Sequence, residues 1–253
     1  MPDSPTTYDF GTRPVPAHRL DNGAWIAADA HVDSTARIDA NALVGPGATI
    51  GPDAHIFERA SIRDCASIGK GARIGTYALI DACALIESGA RIAEGASIGR
   101  DARIAEGARI DADAVIGAGV VIGRASSIDA DAMIGRDALI GRDARIGADA
   151  VIDADARIGA GVVIGRAARI GPDARIGADA VIDADAVIGR AARIGAGVVI
   201  GPGARIGACA RIGAGATIDE HVTLAGSAII AKRQHVKLDD LGASAPGPKG
   251  LRL

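Results

Sequence analysis

The sequence predicts an all-β rod, a triangular prism wound from short parallel strands with 18 residues per coil and 12 coils. Three observations predict it. From Ile26 to Val236 every sixth residue is a branched aliphatic, 36 in succession, of which 32 are Ile, three are Val and one is Leu224. The residue two before each of these is Ala except at Val120, Ser126, Val162, Val198, Val222 and Gln234. Hydrophobic residues make up 49% of the 253, yet aromatics only 2%, so the apolar content is Ala, Ile and Val and cannot fill a thick globular core.

A period of six fits neither the 3.6 of a helix nor the two of an isolated strand. A strand reading Ala-x-Ile places both apolar side chains on one face, because side chains alternate. The next residue is Gly 19 times and Asp eight times, and the position two further on is largely Asp or Gly. These residues supply the backbone angles of a corner. Three strand–corner units close one coil, and coils stack through parallel ladders about 4.8 Å apart. Twelve coils then make a prism about 55–60 Å long. Mean hydropathy of +0.24 and the high apolar content exclude disorder.

Along the chain, residues 1–24 carry Pro2, Pro5, Pro14 and Pro16 with Tyr8 and Phe10. They are expected to cap the open edge of the first coil. Residues 25–238 form the prism. At its far end Lys232, Arg233, His235 and Lys237 charge the last coil, which discourages edge pairing. Residues 239–253, including the Gly/Pro/Ser-rich stretch from Gly242, read as a flexible tail.

The hexads IGADAV (146–151) and IGRDAR (140–145) have the aliphatic–Gly–x–x–Ala–x form. The pattern resembles the hexapeptide-repeat superfamily, the left-handed parallel β-helix, over residues 26–238. Left-handedness is what this resemblance implies; the usual crossover rule would favour the right hand. The resemblance also implies acyl- or acetyltransferases that act on sugars, amines or amino acids with acetyl-CoA or acyl carrier protein. Such enzymes are trimers with a His base between subunits and a projecting loop. Here no hexad is interrupted and no such loop appears. His31, His55 and His235 precede a key aliphatic and face outward; His221 is the one with sequence-adjacent carboxylates, Asp219 and Glu220. The superfamily's zinc-binding γ-type carbonic anhydrases place two His close together, and no His-x4-His occurs, so no metal is expected.

Other bounds are mild. A net charge of −3 advertises neither nucleic acid nor an anionic membrane. Three cysteines are too few for a disulfide framework, and Cys65 and Cys83, 18 apart, share a corner as free thiols. No apolar run approaches the roughly 18 residues of a span, and the first residues lack the apolar core of a signal peptide, so the cytoplasm is the expected compartment.

Reading every eighteenth residue gives the columns on each face. Trp25, Leu43, Leu79, Val115, Met133 and Val151 share one with Ser61 and Ser97, a candidate interface for a second copy or a protein partner. Arg37, Arg73, Arg91, Arg109 and Arg145 share a second with His55 and Ser127; Arg157, Arg175, Arg193 and Arg211 share a third. Corner aspartates, with Asp39, Asp111 and Asp129, stand ready to balance them; an anionic ligand is the other means. The segment GADAVIDADA recurs 30 residues on, at 147–156 and 177–186, which lands it on a different face. Interchangeable hexads carry no pocket, so any site belongs to residues 1–24, to 56–83 or to the coils from Asp219. The leading expectation is therefore a non-enzymatic scaffold using flat faces, without cofactor and with no assigned catalytic residue. The alternative is an acyltransferase with a site between subunits and acetyl-CoA as donor. The third reading is a polyanion binder.

Overall fold

The computed structural model describes residues 6–11 and 14–241. After β1 (Thr7–Asp9) and β2 (Pro14–Arg19), the chain enters the prism at β3 (Trp25–Ala27). One two-residue strand per hexad follows, from β4 (His31–Val32) and β5 (Arg37–Ile38) to β38 (His235–Val236). Every third strand joins the same parallel sheet, so three faces form, named here by their first residues. The His31 and Arg37 faces hold 12 strands each, which sets the number of coils at 12. The register pairs residues 18 apart, as in Val115 with Met133 and Arg73 with Arg91.

From Leu43–Val44 onward the first residue of each strand points outward and the second is buried. The interior is a single cluster of Ile and Ala running from Ala24 to Val236. Ser126 occupies an Ala position, is 1% exposed, and donates its hydroxyl to the Gly141 carbonyl at 2.8 Å, so its burial leaves no polar atom unpaired.

Corners use a four-residue turn closed by a backbone hydrogen bond, such as Ala66 N to Arg63 O at 3.2 Å. The third residue of each turn has positive φ, as a type II turn requires. Every sixth residue from Asn41 to Arg233 obeys this, with φ between 55° and 69°. Gly holds ten of these positions and Asp eleven, the types that tolerate left-handed backbone best. The remainder include Ala125, Ala167 and Ala191, at φ 55°. Each gains about 1 kcal/mol in the native state if its Cβ is removed, less the unfolded-state entropy of Gly. The triple substitution to Gly is expected to raise the melting temperature by a few degrees in a thermal melt; a fall would refute this account of the corners.

The glycine after the aliphatic has another cause. A Cβ on Gly141 would lie 2.6 Å from the backbone of Gly159 and Ala160 in the next coil. Coils approach too closely there for a side chain on an unshifted backbone.

At the start, β2 runs antiparallel to both β1 and β3 and covers the edge of the Trp25 face. The hairpin is held by aromatic packing: Tyr8 stacks on Trp25 at 4.7 Å and meets Phe10 edge-on at 4.9 Å. At the far end, Leu238–Leu241 form one 3-10 turn, so the assigned tail begins as structure. The flexible tail expected over 242–253 lies outside the described residues. No helix among them is long and apolar enough to cross a membrane.

Candidate functional site

The first coils of the Arg37 face depart most from the regular pattern. His55 begins a strand, and its Nε2 lies 2.8 Å from Asp39 Oδ2 on the corner of the coil before. The imidazole also stacks on Phe57, with centroids 3.8 Å apart and planes at 21°. The Arg73 guanidinium sits over the other participant of that stack, 5.0 Å from the Phe57 ring centre. A shallow cleft of about 400 Å³ continues from Phe57 past Arg73, Arg91 and Arg109 and is bordered by Glu94 and Asp111. The three arginines are stacked in register.

This geometry has definite chemistry. With Nε2–H donating to Asp39, Nδ1 carries the lone pair and can accept a proton. The carboxylate fixes the tautomer, Phe57 fixes the ring plane, and the side chain is only 23% exposed. The carboxylate that orients a histidine was sought beside it in sequence, at His221. The structure corrects this twice. Asp39 serves His55, and Asp219 lies 2.5 Å from His235 Nε2 rather than serving His221. Both pairs are 16 residues apart, because an Asp directly after one aliphatic lies beneath the strand position of the next coil. His221 instead occupies a corner at φ 56°.

The interface column Trp25, Leu43, Leu79, Val115, Met133 and Val151 does form one line on the Trp25 face. Trp25 is engaged by its own chain's Tyr8 and by Arg19, 5.9 Å from its ring. Met133 and Val115 are the most open members, at 52% and 43%. The line is broken above Val151 by Arg169 and Arg205.

The cationic residues fall on two faces: Arg37, Arg73, Arg91, Arg109 and Arg145 on the Arg37 face, and Arg157, Arg175, Arg193 and Arg211 on the His31 face. Among the described residues, every arginine ion pair uses a corner arginine: Arg59, Arg63, Arg124, Arg142 or Arg166. The strand arginines are therefore not balanced by neighbouring aspartates as the sequence led one to expect. Like charges one coil apart repel by about 1 kcal/mol in water, less with salt.

The corners beside the cleft hold unusual residues. Arg59 and Tyr77 stack one coil apart, with the guanidinium donating to the Tyr77 hydroxyl and lying 5.4 Å from the ring centre. Cys65 and Cys83, free and exposed, stack on the next corner. Desolvation, and then the nearby Cys65, push the Cys83 thiol up. All four are in the left-handed region.

The repeats match the family described as bacterial transferase hexapeptide (six repeats), at residues 89–124, 131–166 and 167–202. The fold is that of the hexapeptide-repeat β-helices, and residues 89–202 carry the repeats that match the family. No curated protein matches this hexapeptide-repeat chain. Solved structures do. WeeI from Acinetobacter baumannii AYE shares 19% identity over 44% of this chain and 54% of its own, with a TM-score of 0.42. An Arabidopsis UDP-N-acetylglucosamine acyltransferase shares 15% over 81% and 70%, with a TM-score of 0.36. The acetyltransferase domain of PglB from Neisseria gonorrhoeae FA1090, in complex with acetyl coenzyme A, shares 23% over 44% and 53%, with a TM-score of 0.23. The hexapeptide-repeat chain thus spans about half the length of WeeI and of the PglB domain. The scaffold expectation is corrected here. The matched repeats are described as those of transferases, which favours the acyltransferase alternative over the scaffold and over the absence of a cofactor that went with it.

Proposed function

We propose that the chain is an acyltransferase of the hexapeptide type, with His55 as general base. The observation that carries the reading is the His55–Asp39 pair, 2.8 Å apart, beside an arginine-lined cleft in a chain whose residues 89–202 match transferase repeats. His55 Nδ1 would take the proton from an acceptor hydroxyl or amine as that group bonds to the donor's carbonyl carbon. The proton then passes to the leaving thiolate, so the imidazole returns to neutral. An acyl-CoA supplies the activated acyl carbon. The residues present fit such a donor: Arg73, Arg91 and Arg109 offer three guanidiniums to its phosphates, and Phe57 offers an apolar surface to its chain. The exposed Met133 and Val115 on the Trp25 face offer an apolar contact for a second copy, so the working form we propose is a homo-oligomer.

Acetyl-CoA at a hundred times its dissociation constant is expected to stabilise the protein by about 2.7 kcal/mol, raising the melting temperature by several degrees. Transfer to an amino-sugar acceptor should be measurable by release of free thiol. No thermal shift and no thiol release with acetyl- or longer acyl-CoA would overturn the reading.

A further inference from the structure

On the His31 face, Arg157, Arg175, Arg193 and Arg211 follow one another in register through four successive coils. All four are exposed. None forms an ion pair or donates a side-chain hydrogen bond among the described residues. Two shallow, open clefts of about 410 and 380 Å³ lie along the ladder and meet at Arg193 and Ile194, outlining a surface groove. Its floor is bare backbone at Gly159, Gly177 and Gly195, where a Cβ would come within 2.5–2.6 Å of the next coil. Exposed Leu139 and Ile229 close the column at its two ends.

We propose that this groove binds a linear acidic polysaccharide, a uronate-type chain of about four rings lying along the rod axis. Four unpaired guanidiniums in line match an anion whose charges repeat along that axis. Corner Asp155 and Asp173 precede Arg157 and Arg175 on one side, and Asp179 follows Arg175 on the other, carboxylates that repel the paired phosphates of a duplex. The prism carries no aromatic residue beyond Tyr77, so no platform exists here on which the bases of a single-stranded nucleic acid would stack. An extended acidic peptide presents same-face side chains at about twice 3.3 Å, longer than the coil spacing of about 4.8 Å. A pyranose ring with one carboxylate is about as long as one coil rise, and its C–H face suits a floor without side chains. The site lies on a different face from His55 and stands or falls apart from the acyltransferase reading.

The test is titration calorimetry with tetragalacturonate. Binding is expected, weakening steeply between low and high salt. The double variant Arg175→Gln/Arg193→Gln should lose at least tenfold in affinity. Arg103→Gln, on the same face outside the ladder, should not, and circular dichroism should show both folded. Absence of binding, an equal loss in Arg103→Gln, or equal affinity for the methyl-esterified oligomer would overturn the proposal. So would tighter binding of polyphosphate, polyglutamate or single-stranded DNA, each of which would name a different ligand class.

Discussion

His55→Ala is expected to slow acyl transfer by about 10²–10⁴-fold, the usual contribution of a positioned general base. The loss should appear in kcat, with KM for the donor little changed, because the imidazole acts on the proton in flight and not on the donor's phosphates. Asp39→Asn should give a smaller loss of the same kind. The amide no longer holds Nε2 in its protonated form, but the ring still stacks on Phe57 at 3.8 Å. Neither variant should shift the melting temperature much, since both side chains lie outside the core. His235→Ala supplies the control. That residue has an equivalent partner in Asp219 but stacks on no aromatic ring among the described residues, and its loss should leave the rate unchanged. Full activity in His55→Ala, or an equal loss in His235→Ala, would remove His55 from its assigned role.

Ile116→Ala is expected to cost about 2–5 kcal/mol, because the residue is fully buried and the ladders above and below prevent collapse onto the void. For a chain of this length that lowers the melting temperature by about 4–20 °C. The same change at Ile230, also buried but in the last coil, should do much less. Each coil touches only its neighbours, so a defect at an end releases one coil, whereas a central defect breaks the chain of interfaces. Hydrogen exchange should then show rapid exchange confined to the last coils in Ile230→Ala. Equal effects at the two sites would mean that the rod unfolds as a single block.

Much of this architecture was legible in the residues themselves. Ile and Ala at a six-residue period define the core, and counting by 18 places every column on its face, because each hexad contributes one strand without insertion. The candidate site was not legible in the same way. Counting by 18 aligns His55 with Arg37 and Arg73, and so hides Asp39, which reaches His55 from a corner 16 residues earlier. The balance of charge was also misread. Aspartates frequent at corners looked like counterions for the strand arginines, but among the described residues the arginine ion pairs are all made at corners, as by Arg166 with Asp149 at 3.3 Å. Nor did any residue type announce the left-handed backbone of Arg59, Cys65, Tyr77 and Cys83. The turn imposes it wherever the count falls.

The uniform hexad gives the rod a reading frame. Removing 18 residues shortens it by one coil and leaves every column in line. Removing six, for example 141–146, rotates everything downstream by one face while each new neighbour still offers Ile and Ala to the core. Arg157, Arg175, Arg193 and Arg211 would then stand in line with Met133 on the Trp25 face. A single-hexad slip can thus exchange the surfaces of half the molecule without disturbing its interior, and the five-hexad repeat offset already present in the chain is a displacement of that kind.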